Sequence, residues 1–265
     1  MQRNLNIYAI ELDSKWCDKD ANLKQVEEYL KRMPANTDIV VLPEMFSTGF
    51  VVGNKNLSVE LSEKNLDNTI SVLHKLSAEY GVAIAGTYLA RTNTKLYNRA
   101  FFIEPSGDET FYDKRHLFSM GNENETFSEG ERLPPIIRFR SWNIMPVICY
   151  DLRFPVWCRN ADRKYDLMLV MASWPKAREY AWRQLLIARA IENQCYVCGV
   201  NRSGVVGENL VFPDQGAMII DYKGMPCHNR IDDTSVFATL DNESYERFLQ
   251  KFPVWKDSDI FNLSL

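Results

Sequence analysis

Ile144-Met-Pro-Val-Ile-Cys149-Tyr-Asp-Leu-Arg-Phe-Pro155-Val-Trp-Cys-Arg-Asn160 is the stretch around which the chain organises itself. Ile144 to Ile148 is an apolar run long enough for a buried strand and too short for a helix, and Pro155 suits the first position of a following helix. Cys149 then falls at a strand end, just before a turn into a helix. From there a thiol points into the crevice above a sheet, with the Tyr150 amide beside it as a donor for a developing oxyanion. The competing reading is a core cysteine, because free Cys is among the most buried residue types. This stretch by itself leaves the two open.

With 265 residues, 46% of them hydrophobic, the chain has ample material for a core in one large domain or two small ones. Charged residues make up 25% and the net charge is −4, which implies no basic face for nucleic acid and no acidic tail for a partner. The N-terminal residues 1–13 alternate apolar and polar like a strand and lack the apolar core and cleavage site of a signal peptide. No apolar run approaches the ~20 residues of a membrane span. These features predict a soluble, cytoplasmic protein with no membrane or nucleic-acid partner, whose six cysteines stay reduced. Cys195 and Cys198 form a C-x-x-C, but there is no second such pair, the three histidines are scattered, and the pair lies in an apolar run. It reads as structural, not as a zinc or redox site.

Taken in order, residues 5–12 read as a strand and Asn22 to Met33 as a helix with Leu23, Val26, Leu30 and Met33 on one face. Asp38 to Leu42 is an all-apolar strand after its first residue, covered on both faces, which puts Glu44 at its C-terminal end. A polar loop runs from Ser47 to about Ser62, a helix from Leu66 to Tyr80 stopped by Gly81, and a strand from Val82 to Tyr88. Phe101 to Tyr112 is a hairpin about Pro-Ser-Gly-Asp, delivering Lys114, Arg115 and His116 at its exit. Met120 to Leu133 reads as a loop without a rigid anchor; its Glu123, Glu125 and Glu129 could equally be solvated surface charges. Beyond Cys149 come a strand at Leu167 to Ala172, a helix from about Arg178 to Asn193, a strand at Cys195 to Val200, and a hairpin at Ala217 to Cys227. Val236 to Leu240 then adds an edge strand, followed by a short helix from Glu243 to Lys251 and a docking tail over Phe252 to Trp255. No linker interrupts this alternation, so residues 1–265 read as one α/β domain.

Glu44, Lys114 and Cys149 each lie at a strand or hairpin end. A thiol is nucleophilic as thiolate, a cation lowers its pKa, and an amide nitrogen leaves only once protonated, which asks for a carboxyl group acting first as base and then as acid. On this reading Cys149 is partly ionised near neutral pH.

Leu42-Pro-Glu44-Met-Phe46, Tyr112-Asp-Lys114-Arg-His-Leu-Phe118 and Cys149-Tyr-Asp-Leu-Arg-Phe-Pro155 resemble, in order, the glutamate, lysine and cysteine motifs of the nitrilase superfamily of carbon-nitrogen hydrolases. Ala172-Ser-Trp-Pro175 and Ala188-Arg-Ala-Ile-Glu-Asn-Gln194 match further family segments, so the likeness covers nearly the whole chain. Phe46-Ser-Thr-Gly-Phe50, His116-Leu-Phe-Ser-Met120 and Phe154-Pro-Val-Trp-Cys-Arg-Asn160 look most like the bacterial ω-amidase branch, which hydrolyses the side-chain amide of 2-oxo acids such as 2-oxoglutaramate and 2-oxosuccinamate.

The resemblance implies a four-layer α-β-β-α sandwich, homodimers or higher homo-oligomers, and a reaction without metal or cofactor. It implies Cys149 as nucleophile, Glu44 as base then acid, and Lys114 with the Tyr150 amide at the oxyanion. Counting back from Gly130, it implies Glu123 as a supporting carboxylate, with Glu125 as runner-up. Phe46 and Trp174 are candidate pocket walls or else core aromatics, and Arg153 reads as a structural ion-pair partner. Three alternatives stand beside this reading. One is another hydrolase of the superfamily acting on a carbamoyl amine or nitrile; another is a Cys-His hydrolase using His116; the third is a catalytically silent binding subunit, against which the retained Glu44, Lys114 and Cys149 argue.

Overall fold

In the computed structural model, which describes residues 4–63, 68–207, 209–259 and 261–263, each central strand sends alternate side chains to opposite faces. Strand β1 (Leu5–Ile10) shows the rule: Leu5, Ile7 and Ala9 point into a core between two sheets, whereas Tyr8 and Ile10 pack outward with Leu23, Val26 and Leu30 of helix α1 (Lys19–Arg32). The chain continues through β2 (Ile39–Val41), α2 (Lys55–Leu61), α3 (Asn68–Tyr80), β3 (Ala83–Thr92), β4 (Lys95–Ile103), β5 (Glu109–Asp113) and the one-turn α4 (Glu123–Thr126). Next come β6 (Ile137–Phe139), β7 (Trp142–Ile148), β8 (Leu167–Ala172), α5 (Glu179–Asn193) and β9 (Tyr196–Asn201). The short pair β10 (Val205–Val206) and β11 (Leu210–Val211), then β12 (Met218–Ile220), β13 (Asn229–Asp232), β14 (Ser235–Leu240) and α6 (Asn242–Lys251) complete it.

The larger sheet has the order β13-β14-β1-β2-β3-β4-β5 and the smaller one β12-β9-β8-β7-β6. Each is parallel at its centre, β1-β2-β3 in one and β7-β8-β9 in the other, which places several strand C-terminal ends along one side of the molecule. The inner faces share one core, to which Ile7, Val41, Ile144, Ile148 and Leu169 contribute. Helices α1 and α3 cover the outer face of the larger sheet; Trp182, Leu186 and Ala190 of α5 cover the smaller. The result is the expected α-β-β-α sandwich. Burying an aliphatic side chain contributes about 1.5–3 kcal/mol, so the three apolar layers supply the main drive to fold. Gly199 sets the approach of α5 to β9, because a Cβ there would meet Leu186 at 2.5 Å.

Several expectations need correction. Val236 to Leu240 is not an edge: β14 lies between β1 and β13, and β13 is the outer strand. The strand beginning at Ala83 runs on to Thr92 and turns through Asn93 (φ 54°) into β4, a hairpin that the apolar pattern did not reveal. No helix begins at Pro155: a 3-10 turn spans Cys149–Arg153, ahead of it, and Cys158 lies in the loop beyond. Residues 66 and 67, at the expected start of α3, lie outside the described residues. No helix among the described residues is long and apolar enough to cross a membrane.

Candidate active site

The strand ends converge. Glu44 follows β2, Lys114 follows β5, Cys149 follows β7 and Ser173 follows β8, and the first three expected residues line one cavity of about 360 Å³. Glu44, Lys114 and Glu123 are each at most 1% exposed. The Lys114 ammonium donates to Glu44 Oε1 at 2.9 Å and to Glu123 Oε1 and Oε2 at 2.9 and 2.8 Å, so its three protons meet three carboxylate oxygens. Burial works against this ammonium; the charges of Glu123 and Glu44 more than offset it, and its pKa lies above the ordinary lysine value.

Glu123 thus shares the Lys114 ammonium with Glu44, while Glu125 is exposed. Burial raises the Glu123 carboxyl pKa against the pull of Lys114, and the neighbouring Glu44 adds to the rise. The segment that carries it is anchored, contrary to expectation. The Phe118 amide donates to Glu123 Oε2 at 2.6 Å, and the Gly130 amide donates to the Lys114 carbonyl at 2.8 Å. A Cβ at Gly130 would stand 2.1 Å from the Asp113 carbonyl oxygen, so only glycine allows the two backbones this close.

Cys149 has φ 44°, a left-handed conformation costly for any residue but glycine, at the start of the 3-10 turn. Its thiol lines the same cavity as Glu44 and Lys114, and Ser173 stands beside it across the paired ends of β7 and β8, where Ile148 faces Met171. Burial, and then the negative charge of Glu44, push its pKa well above the ordinary thiol value despite Lys114. The expected partial ionisation near neutral pH is thus corrected: this is a protonated thiol beside a carboxylate. Tyr150 is the next residue, and the leading amides of such a turn have no partner within it.

Asp151 ties the turn to the lysine segment. Its buried carboxylate accepts from Tyr112 Oη at 2.8 Å, the Ile148 amide at 3.3 Å and the His116 amide at 2.8 Å, and it lies 2.8 Å from His116 Nδ1. The His116 ring also stacks on Phe154, with centroids 3.7 Å apart. His116 is committed to Asp151 and Phe154, which disfavours it as the base for Cys149.

Sequence reasoning missed Asn98, Thr87 and Ser173. Asn98 Nδ2 donates to Glu44 Oε1 at 2.7 Å and to Glu123 Oε1 at 3.4 Å, while the Ser173 amide donates to Glu44 Oε2 at 2.8 Å. The expectation for Phe46 is corrected: it is fully buried in the outer core, edge-on to Phe101 at 6.0 Å. Met45, at φ 49°, turns the chain so that Phe50 reaches the cavity instead. Trp174 does line the cavity, held by its indole N–H donating to the Arg178 carbonyl at 2.9 Å. Among the described residues Arg153 forms no ion pair; its guanidinium lies over the Trp174 ring at 4.6 Å, and that of Arg178 lies over Phe118 at 5.0 Å. Cys195 and Cys198 are buried free thiols. Among the described residues, no group of three or more His, Cys, Asp or Glu side chains is arranged to hold a metal ion.

An acid and a cation in hydrogen-bond contact, with a thiol in the same aromatic-walled cavity, can carry out acyl transfer. Residues 5–246 match the carbon-nitrogen hydrolase family model. The chain is 36% identical to omega-amidase YafV of Escherichia coli strain K12, over 98% of each chain, and 29% identical to the 2-oxoglutaramate amidase of Bacillus subtilis, over 95% of this chain and 96% of that one. A solved CN-hydrolase superfamily protein of Xanthomonas campestris, with an arsenic adduct in its active site, superposes with a TM-score of 0.92 at 35% identity, covering 99% of this chain and 100% of that one. With the family model spanning nearly the whole sandwich and full-length relatives above 30% identity, this chain belongs to the carbon-nitrogen hydrolase family.

Proposed function

We propose that this chain, as one carbon-nitrogen hydrolase domain over residues 1–265, is a cysteine-dependent amide hydrolase. It cleaves the ω-amide of a small 2-oxo acid, 2-oxoglutaramate or 2-oxosuccinamate, to the 2-oxo diacid and ammonia. What supports the reading is the Cys149 thiol in one cavity with Glu44 and Lys114, the lysine being shared with Glu123, in a chain so similar to an omega-amidase along its length.

Because the resting thiol is protonated, Glu44 removes its proton as the sulfur attacks the amide carbonyl. The oxyanion takes hydrogen bonds from Lys114 Nζ and the Tyr150 amide. All three Lys114 protons are engaged at rest, so the bond to the oxyanion replaces one of the two to Glu123. Collapse of the intermediate expels ammonia, which leaves with the proton that Glu44 held. A thioester remains on Cys149. Water then attacks it with Glu44 again as base, and the carboxylic acid departs as the thiol is restored.

Arg153 and Arg178 suit the substrate's 1-carboxylate. A guanidinium stacked by its face keeps its N–H edge for a bidentate carboxylate. Hydrogen bonds to a charged group contribute about 1.5–3 kcal/mol, so Arg153→Met or Arg178→Met raises KM for 2-oxoglutaramate by roughly 10- to 100-fold. Steady-state kinetics on a neutral amide of similar length should show no such rise; an equal rise for both substrates would place the carboxylate elsewhere.

The function is tested by ammonia release across both 2-oxo ω-amides, free glutamine, a carbamoyl amine and a nitrile. The 2-oxo ω-amides are expected to react fastest, with chelator present. Preference for the carbamoyl amine or nitrile would replace the substrate, and chelator inhibition reversed by zinc would overturn the mechanism. Iodoacetamide adds a second check. Cys149 is the one thiol of the described residues that lines the cavity, so an ω-amide substrate should slow its labelling and leave that of half-buried Cys17 unchanged. Peptide mass mapping that found substrate protecting Cys158 or Cys195 would remove Cys149 as nucleophile. We also infer a cytoplasmic homodimer, for which exposed Tyr180, Ile191 and Met225 offer an apolar surface. Light scattering would read its mass.

A further inference from the structure

We propose that Asn98 and Thr87 are positioning residues that select which oxygen of Glu44 acts as the base; this rests on Glu44 serving Cys149 as proposed above. Glu44 Oε1 is occupied by Lys114 Nζ at 2.9 Å and Asn98 Nδ2 at 2.7 Å. Oε2 accepts from the Ser173 amide at 2.8 Å, and Ser173 stands beside Cys149 because Ile148 pairs with Met171 at the ends of β7 and β8, so Oε2 is the oxygen on the thiol's side. Asn98 thereby fixes the carboxylate with its less encumbered oxygen toward the sulfur.

The direction of the Asn98 amide is itself imposed. The Met45 amide donates to Thr87 Oγ1 at 2.8 Å, so the hydroxyl turns its own proton to Asn98 Oδ1, 2.9 Å away. With Oδ1 taken as acceptor, Nδ2 must face the carboxylates. The relay closes on the two residues after Glu44, because the Phe46 amide, next to that of Met45, also donates to the Thr87 carbonyl. Asn98 further holds the cation: its carbonyl accepts from the Lys114 amide at 3.0 Å. One buried side chain on β4 thus touches Glu44 and Glu123, and its main chain touches Lys114.

Charge explains why the donor is neutral. Two carboxylates face one ammonium, and a second cation would hold Glu44 too firmly ionised to accept a proton. An amide N–H₂ bridges both carboxylates and adds no charge. A hydrogen bond to a carboxylate favours its ionised form, so losing that bond moves the acidic limb of the pH profile upward. Neither Asn98 nor Thr87 lines the cavity, so substrate binding is left alone.

The test is Thr87→Val, which replaces the hydroxyl with a methyl, beside Thr87→Ser, which keeps it, and Asn98→Asp. Thr87→Val should lower kcat about tenfold, raise the acidic limb by about one pH unit and leave KM unchanged. Thr87→Ser should restore both. Asn98→Asp, which sets a third carboxylate against the first two, should lose about 10² in kcat. A parallel arm follows iodoacetamide labelling of Cys149 against pH, and its acidic midpoint should rise in Thr87→Val. That arm needs no amide substrate, so a wild type inactive on 2-oxo ω-amides that still shows the shift would sink the substrate and spare the positioning role. Unchanged kcat and midpoints in folded Thr87→Val, with only a lower Tm, would overturn the proposal; if that variant does not fold, Thr87→Ala is read in its place.

Discussion

Cys149→Ala should abolish ammonia release from 2-oxoglutaramate, a loss on the order of 10⁴-fold or more, while the protein stays folded. The size follows from the absence of any substitute. His116 is held by Asp151, and Cys158, whose pKa burial pushes up to about 12, is fully buried. Alanine keeps the Cβ, so the left-handed backbone at φ 44° meets no new atom. The other expected parts of the site remain, and residual hydrolysis measures what Lys114 and the Tyr150 amide achieve without a nucleophile. Single-turnover assays with mass analysis of the quenched enzyme should find the acyl adduct on the wild type and none on the variant. Activity within tenfold of wild type, with an acyl group on another thiol, would refute Cys149 as nucleophile.

How far this site can be read from sequence depends on how local each cause is. Glu44 and Cys149 were legible because each follows a short apolar strand, and Lys114 because it leaves a hairpin; a residue just past a strand end in an α/β sheet faces the crevice. Glu123 needed the family resemblance: its burial depends on the Phe118 amide and the close pass of Gly130 over Asp113, which no spacing rule expresses. Asn98 and Thr87 were out of reach. They lie within β4 and β3, where they interrupt runs of buried apolar side chains, and the turn at Asn93 that pairs those strands carries no Gly-type hairpin signal. Phe46 was misplaced because a positive φ at Met45 reverses the direction of the next side chain, and Met is not a residue that advertises one. The thiol's ionisation was misjudged for an electrostatic reason. Lys114 was counted as a cation beside Cys149, but two buried carboxylates already claim its charge, and Glu44 faces the sulfur as an anion.

That same arithmetic governs Lys114→Met, which should cost at least ~10² in turnover and destabilise the fold as well. Methionine matches the lysine stem in length but leaves Glu44 and Glu123 buried around a vacated charge. Breaking a buried ion pair from one side costs about 3–5 kcal/mol, a large part of the roughly 5–15 kcal/mol by which a domain is stable. Acid should relieve it. Without the ammonium the Glu123 carboxyl pKa rises further above its unfolded value, so the folded variant binds more protons than the unfolded chain, and stability falls as pH rises through that window. The Tm of Lys114→Met should therefore increase between pH 8 and pH 6 more than that of the wild type, as calorimetry can show. A second substitution separates stability from chemistry. Glu123→Gln removes one of the stranded charges while Glu44 keeps its bonds from Asn98 and Ser173, so Lys114→Met with Glu123→Gln should regain much of the lost Tm and none of the lost turnover. If the double variant recovered activity along with stability, Lys114 would be a structural counter-ion and not an oxyanion donor. If folded Lys114→Met turned over near the wild-type rate, the cation would have no part in the chemistry, and the Tyr150 amide would have to hold the oxyanion alone.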